Sequence, residues 1–493
     1  MNFTPSKYQE AIFKEIIDIA VSPKIGRHII VTADAGTGKT TTIEEGTKMI
    51  PSNFSILFVA YNKHIADNFI PKATKNTNVM TCHSLGYRAV IRKMQLSGKR
   101  VNIDAYKVHN LTKQILQNEF LELGQEESRN MQPIIIKVVS LLKSTLLPVN
   151  KESVEYILET YNIDNEVNHD ILTQICAKIM LKCAAVFGMK DSSDIDFDDQ
   201  IWLPIVHNLS VTQFDFVFVD ETQDLNKSQL ELILKAVKPG GSIIAVGDSN
   251  QSIYGFRGAD VEAMEHMIER LNAKVLPLSI CYRCPTSHIT LAQKYVQSIE
   301  PSPYAKEGTI KNIKESELVN NVNEGDLILC RYTAPCVKYC LKVIKSGKKA
   351  TVRGRDIMDS LISKVRKTKG TKMTDFLPNL KKDMLKEKAN LESVGKSIES
   401  VIDRYETILV LAEDCNDTNE LIQKIQTIFS DSITAITFST VHRAKGLESN
   451  SICILKPSLM PSTYARTEKE FKQERNLQYI SVTRSKDTLT FIE

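Results

Sequence analysis

Short apolar runs alternate with amphipathic stretches over the first part of the chain. Runs of branched and apolar residues at 27–33, 55–60 and 78–81 predict buried strands, and helical periodicity at 8–13 precedes them. Short apolar strands separated by helices are typical of a parallel sheet with crossover helices. The pattern therefore predicts an α/β fold.

The strand pattern fades between about residues 93 and 204, where stretches such as 111–116 and 134–142 predict a helical insertion. Strands that would complete the same sheet are predicted at 214–220, 242–248 and 274–278. A second α/β block begins near residue 280, with strands at 326–330 and 433–438 and a charged helical stretch between them. The expected domains are a first core at 1–92 and 205–279, a helical insertion at 93–204, a second core at 280–355 and 432–493, and a small basic helical insertion at 356–431.

Composition narrows the class of protein. Of 493 residues, 42% are apolar, which excludes a mostly disordered chain. No run of 18 apolar residues occurs, and charged residues interrupt the first helix, so we expect a soluble protein of the cytoplasm, or of the nucleus in a eukaryote. The formal net charge of +4 says little about partners.

Ten cysteines lie scattered in apolar surroundings, which indicates reduced, packed thiols. The spacings Cys281-x-x-Cys284 and Cys336-x-x-x-Cys340 would also suit zinc or an iron–sulfur cluster, but packed thiols are the better interpretation.

Positive charge is concentrated in one segment. Residues 338–388 contain 16 Lys and Arg against five Asp and Glu. A phosphate-binding face and a solvated surface are equally good explanations of such a cluster.

A glycine-rich loop follows the first predicted strand. Residues 33–40, ADAGTGKT, match a phosphate-binding loop except that the strict pattern has Gly where Ala33 stands. Gly36 and Gly38 would let backbone N–H groups face phosphate oxygens at a helix N-terminus. Lys39 would neutralise the β- and γ-phosphates and Thr40 would ligate Mg²⁺. The alternative is a glycine-rich turn without a ligand.

Two adjacent carboxylates follow another strand. The apolar run 217–219 delivers Asp220 and Glu221 at its carboxyl end, where ligands bind in open α/β sheets. Asp220 would hold Mg²⁺, directly or through water, and Glu221 would orient and deprotonate the attacking water. Together with the loop, this pair predicts nucleotide hydrolysis.

Beyond these two motifs, the sequence resembles the superfamily 1 DNA helicases of the UvrD/Rep/PcrA type, in particular compact phage-encoded and F-box-helicase-like members. The resemblance covers both α/β blocks in order and spacing, and its motifs lie at residues 5–9, 60–63, 81–85, 220–224, 246–259, 282–283, 440–448 and 479–486. It implies two RecA-like parallel-sheet motor domains with helical insertions. Phe256 stands where many relatives place a stacking tryptophan, and Cys281 replaces an asparagine.

The resemblance also implies a role for individual residues. The implied ATP-binding residues are Gln9, which would read the adenine edge, and Ala35, Gly36, Thr37, Gly38, Lys39, Thr40, Thr41, Tyr282 and Glu448. The implied catalytic residues are Lys39, Asp220, Glu221, Gln251 and the two arginine fingers Arg283 and Arg484. The implied DNA contacts are Tyr61, Asn62, His83, Tyr254, Phe256, Arg257, Thr440 and His442. Tyr61, Tyr254 and Phe256 would alternatively be core residues. His83 and His442 would alternatively make structural hydrogen bonds.

The function implied is an ATP- and Mg²⁺-dependent DNA helicase that moves 3′ to 5′ on single-stranded DNA and separates strands in replication, repair or recombination. We expect a monomer that binds single-stranded and forked DNA and no membrane. The sequence leaves open whether it also binds a protein partner. The alternative is a non-unwinding DNA-dependent ATPase that regulates a partner in a defence or recombination complex.

Overall fold

The computed structural model describes residues 4–21, 27–161, 163, 167–188, 194–253, 263–393, 397–429 and 435–493. Contacts divide the chain into two compact units, Met1–Ala33 with Gly38–Leu278, and Asp34–Thr37 with Ser279–Glu493. In the described part of the chain, every helix is too short or too polar to cross a membrane.

The first unit contains strands β1 (Ile29–Ala33), β2 (Ile56–Ala60), β3 (Thr77–Thr81), β4 (Asn102–Ile103), β5 (Asp194–Ile195), β6 (Phe214–Val219), β7 (Val237–Gly247) and β8 (Lys274–Leu278). Its helices are α1 (Lys7–Val21), α2 (Lys39–Lys48), α3 (Lys63–Phe69), α4 (Cys82–Leu96), α5 (Lys107–Glu119), α6 (Gln125–Thr145), α7 (Lys151–Thr160), α8 (His169–Ala184), α9 (Phe197–Val206), α10 (Lys227–Lys235) and α11 (Ala263–Leu271).

Six of these strands, as far as the chain is described, form one sheet in the order β3-β2-β6-β7-β1-β8. All neighbouring pairs are parallel, with Val31 opposite Val246 and Val219 opposite Ala245. Because parallel strands end at the same edge, the segments after β1, β6 and β7 meet there. The predicted α/β class is confirmed.

The two faces of this sheet pack into different cores. Ile30 and Leu57 belong to a cluster that includes Ile135 and extends through helices α4 to α11. Val31 and Phe58 point to the other face and pack with α1, α2 and α3. Burial on both faces explains why the strands are continuous apolar runs.

A buried ion cluster joins three helices between β3 and β6. Lys143 of α6 lies 2.6 Å from Asp196 and 2.8 Å from Asp199, and Lys107 of α5 lies 2.6 Å from Asp199. Asp196 and Asp199 also form the capping box that starts α9. Burial alone would lower the pKa of Lys143, but the two carboxylates raise it above its usual value. Lys143 therefore keeps its charge, and the cluster fixes how these helices meet.

The second unit contains strands β9 (Ile280–Cys281), β10 (Glu300–Pro301), β11 (Thr309–Ile313), β12 (Leu327–Cys330), β13 (Ala350–Val352), β14 (Ile436–Thr440), β15 (Ser449–Leu455) and β16 (Ser485–Ile492). Its helices are α12 (Thr286–Ala292), α13 (Leu318–Asn321), α14 (Thr333–Lys345), α15 (Arg355–Lys367), α16 (Met373–Ser393), α17 (Glu399–Ala412), α18 (Thr418–Ile428) and α19 (Glu468–Val482).

The second sheet is also parallel, with the order β11-β16-β15-β12-β14-β13 among the described residues. Its strands share one hydrophobic cluster with helices α15 to α18, each of which contributes a buried residue: Leu361, Phe376, Tyr405 and Ile425. The basic helical stretch thus packs directly on the sheet's core.

Candidate functional site

The loop after β1 has the backbone that a phosphate cradle needs. Gly38 caps α2 with φ of 80°, in the left-handed region that favours glycine. A Cβ at Gly36 would lie 2.8 Å from both Cys281 Sγ and Arg283 Cβ, so a larger residue does not fit there. The Thr37 hydroxyl donates to the Asp34 carbonyl at 2.9 Å, which closes the turn. No side chain caps the start of α2, an arrangement that suits the binding of an anion by its backbone N–H groups.

Four side chains predicted to act on nucleotide come together at the edge of the first sheet. The Thr40 hydroxyl donates to Asp220 Oδ2 at 3.1 Å, and Lys39 Nζ lies 4.0 Å from Glu221 Oε1. Glu221 has φ of 51°, which is strained for a side-chain-bearing residue, and its N–H donates to Asp220 Oδ1 at 2.9 Å. Residues 180 positions apart thus form one cluster.

Electrostatics make this cluster a good fit for a divalent cation. Burial, followed by the neighbouring Glu221 charge, raises the pKa of Asp220 to about 7, although Lys39 and the Thr40 hydroxyl oppose the shift. Asp220 is 1% exposed, so its carboxylate has little water to solvate it beside the Glu221 charge. Hydroxyl and carboxylate oxygens are the ligands that Mg²⁺ prefers. Thr40 and Asp220 are therefore suited to hold Mg²⁺.

A buried chain of hydrogen bonds connects Glu221 to Gln251. Gln223 Nε2 donates to Glu221 Oε2, and Gln223 Oε1 accepts the Asp248 N–H at 2.9 Å. Gln251 Nε2 in turn donates to Asp248 Oδ2. Sequence reasoning singled out Gln251 but missed Gln223 and Asp248 as its connection. The signal that could have found them is the adjacency of β6 and β7, which no local pattern contains.

Gln9 lies beside the phosphate loop and is 2% exposed. Its amide nitrogen donates to the Thr42 hydroxyl at 3.0 Å, and its carbonyl oxygen accepts the Ser6 N–H at 3.0 Å. These contacts fix the orientation of the Gln9 amide at the start of α2. Thr41, the residue before Thr42, is exposed.

The loop segment Asp34–Thr37 makes its contacts within the second unit. The Ala35 N–H donates to Tyr479 Oη at 2.8 Å, and the Gly36 carbonyl accepts the Tyr282 N–H at 2.9 Å. Tyr282 is 48% exposed and is therefore accessible to a ligand.

The two predicted arginine fingers have different surroundings. Arg283 Nε donates to Glu448 Oε2 at 2.7 Å and its Nη1 donates to the Thr483 carbonyl at 3.3 Å. Glu448 also pairs with Lys486, and these cations lower the pKa of Glu448 although its burial opposes them. Arg484 is 2% exposed and donates to the Ile480 carbonyl at the end of α19.

The predicted DNA contacts lie in both units. Asn62 caps α3 by accepting the Ile65 N–H at 2.9 Å, and the half-buried Tyr61 precedes it. Burial lowers the pKa of His83, whose ring meets Phe197 edge-on. In the second unit, Thr440 ends β14 and His442 lies in the short helix Val441–Ala444. Tyr254, Phe256 and Arg257 lie outside the described residues.

The basic stretch is only partly available for an anion. Lys364 pairs with Glu387 at 2.7 Å and Asp383 at 3.2 Å, and its ammonium lies over the Tyr405 ring, so its charge is already compensated within the protein. Arg366, Lys367 and Lys369 are exposed, and none pairs with a described carboxylate. Arg366 lines a cleft of about 570 Å³ between α15 and α18.

Comparison with known proteins gives one family. Residues 14–272 match the model of the UvrD/REP helicase N-terminal domain. F-box DNA helicase 1 of Gallus gallus is 23% identical over 517 residues, covering 94% of this chain and 47% of that protein. The ATP-dependent DNA helicase PcrA of Staphylococcus aureus is 25% identical over 260 residues, covering 48% of this chain and 33% of that protein. The chain thus spans about half the length of the first relative and a third of the second.

A solved structure of an arterivirus helicase, nonstructural protein 10, aligns with a TM-score of 0.35 and 10% identity over 98% of this chain and 61% of that one. A score of that size identifies no shared fold.

Proposed function

The chain belongs to the UvrD/REP helicase family, and from that premise we propose that it is an ATP-driven motor that moves 3′ to 5′ along single-stranded DNA and separates duplex ahead of it. The observation that carries the ATP-dependent part is the cluster of Lys39, Thr40, Asp220 and Glu221 at one edge of the first sheet. The named relatives are DNA helicases, which supports DNA as the track.

Each residue of this cluster has a distinct task in hydrolysis. When bound, Mg²⁺-ATP supplies the bond that is cleaved and the metal charge that neutralises its oxygens. Lys39 binds the β- and γ-phosphates as a point charge, and Thr40 and Asp220 orient the metal. Glu221, which is 24% exposed, orients the attacking water and accepts its proton.

The hydrogen bonds from Glu221 through Gln223 and Asp248 to Gln251 provide a route by which hydrolysis is coupled to DNA binding. Gln251 ends a short helix immediately before the segment that contains Tyr254 and Phe256, which we propose as stacking residues for DNA bases. A change at Glu221 alters the hydrogen bonds available to Asp248, and with them the orientation of Gln251.

Further residues take part in the proposed reaction on the support of their motif positions and contacts. Arg283 and Arg484 stabilise charge on the transferring phosphoryl group, and Tyr282 stacks on the base. Exposed Arg366, Lys367 and Lys369 bind phosphates of the forked duplex, because their charges are unpaired in the described structure.

The test is strand displacement by the purified chain with ATP on duplexes that carry a 3′ or a 5′ single-stranded tail. We expect displacement only from the 3′ tail, and none with Lys39→Ala. Lys72→Ala is the matched control, since Lys72 is an exposed lysine that pairs with Glu44 of α2. Displacement from the 5′ tail would refute the polarity. DNA-stimulated ATP hydrolysis without displacement from either tail would identify a non-unwinding ATPase instead.

A further inference from the structure

Two cysteines flank Arg283 in the turn after β9. Cys281 is 0% exposed and Cys284 is 3% exposed, and the Cys284 N–H donates to Cys281 Sγ at 3.4 Å. All ten cysteines of the chain are free thiols. The backbone turn therefore places the Cys281 sulfur within reach of the Cys284 N–H group.

The two thiols differ in acidity because one serves the other as a hydrogen-bond donor. The Cys284 thiol, the backbone N–H groups of Cys284 and Arg283, and the Arg283 charge lower the pKa of Cys281 to about 7, although burial opposes them. The same hydrogen bond and burial raise the pKa of Cys284 well above its usual value. Of the two thiols, Cys281 is therefore the one that ionises more readily.

This pair lies next to both segments that carry the predicted arginine fingers, Arg283 and Arg484. Cys284 Sγ lies 3.4 Å from the Thr483 carbonyl oxygen, which also accepts a hydrogen bond from Arg283 Nη1 at 3.3 Å. Arg484 follows Thr483 directly. A bond between the two sulfurs would restrain the turn that positions Arg283.

We propose that Cys281 and Cys284 are an oxidisable pair, converted by a hydroperoxide into a disulfide that restrains the turn carrying Arg283. The Cys281 thiolate attacks the peroxide O–O bond and becomes a sulfenic acid, releasing hydroxide, which is protonated to water. The Cys284 thiol then forms the S–S bond and a second water leaves. Two thiols and one hydrogen peroxide give one disulfide and two waters, and a dithiol reductant reverses the change.

Other uses of the pair are less well supported by the structure. Within the described residues, no group of three or more Cys, His, Asp or Glu side chains could hold a metal ion, so these thiols lack the further ligands that zinc needs. Cys415 is more accessible than either thiol, but burial raises its pKa although the Lys424 charge opposes the shift. Cys415 is therefore the matched control.

The experiment treats the purified chain with hydrogen peroxide, alkylates the remaining thiols under denaturing conditions and digests with trypsin. Trypsin cleaves between Arg283 and Cys284, so the disulfide joins two peptides, 275–283 and 284–294. We expect this linked pair in the native chain and in Cys415→Ser, and its absence from Cys281→Ser. Free alkylated Cys281 and Cys284 after peroxide, or linkage of either to a different cysteine, would overturn the proposal.

The effect on turnover rests on the proposed ATP hydrolysis and is measured separately. We expect peroxide to lower ATP turnover by up to about 10²-fold, the cost of misplacing a reacting group by about 1 Å, and dithiothreitol to restore it. Cys281→Ser should keep the same turnover with and without peroxide. Linked peptides with unchanged turnover would overturn the restraint on Arg283. A reduced chain without ATP turnover would refute the proposed function, while the peptides would still test the pair.

Discussion

Gln223→Leu tests whether the buried connection between Glu221 and Asp248 contributes to both stability and turnover. Leucine fills a similar volume but neither donates to Glu221 nor accepts the Asp248 N–H, which Gln223 Oε1 now accepts at 2.9 Å. Asp248 is 1% exposed, so water cannot readily replace that acceptor. One buried donor left unpaired costs about 1–3 kcal/mol, and the free energy of unfolding of the first unit should fall by that amount.

Turnover should fall for a separate reason. Without the Gln223 amide, Glu221 loses the partner that orients its carboxylate, and a displacement near 1 Å costs about 10²-fold in kcat. The KM for ATP should change little, because Lys39 and Thr40 do not contact Gln223 in the described hydrogen bonds. A loss of stability alone would not separate kcat from KM in this way.

The single tryptophan of the chain makes the stability measurement specific. Trp202 is 6% exposed in α9, so its fluorescence in a urea titration reports unfolding of the first unit. Gln213→Leu is the control, because Gln213 is an exposed glutamine of the same unit. If Gln223→Leu matches this control in both urea midpoint and kcat, the connection through Gln223 has no energetic role.

Glu221→Gln should retain ATP binding but slow hydrolysis, because the amide keeps the shape and cannot accept a proton; a filter-binding assay that finds ATP affinity lost would contradict this role. Arg283→Ala should slow single-turnover hydrolysis by about 10³–10⁵-fold with a smaller effect on ATP affinity, and unchanged turnover would leave the arginine a structural ion-pair partner. Arg366→Ala and Lys369→Ala should each reduce the salt dependence of forked-DNA binding by about one counterion, whereas Lys345→Ala, whose charge already pairs with Asp414, should not; equal slopes for all three would make the basic stretch a solvated surface.

The sequence pattern locates the central strands because each of them is a run of consecutive apolar residues. The predicted runs for β1, β2 and β6 agree with the observed strands to within two residues, since each strand is covered on both faces. Strand β11 has no comparable run. It lies at the edge of the second sheet, and most of its residues are exposed, so its sequence carries no continuous apolar signal.

The residues of the candidate site also include some that the sequence predicts and others that it does not. Lys39, Thr40, Asp220 and Glu221 are predictable because each lies in a short motif next to a strand. The role of Gln223 depends on β6 and β7 being neighbours, which is a property of the sheet. The pairing of Lys364 could not be predicted, because counting charges along one segment does not reveal that Glu387 of α16 lies against it. The family resemblance is confirmed by the match over residues 14–272.

The helices between β3 and β6 share one hydrophobic cluster with a face of the first sheet, which limits how this protein can be shortened. Deleting them would leave side chains such as Ile30, Leu57 and Val217 facing water, at about 1.5–3 kcal/mol for each residue fully exposed. Total stabilities of 5–15 kcal/mol do not tolerate several such losses. The helices between β3 and β6 therefore cannot be deleted without loss of the fold. Truncated versions should aggregate, and variation in length should be accommodated at exposed loop tips such as Gly98.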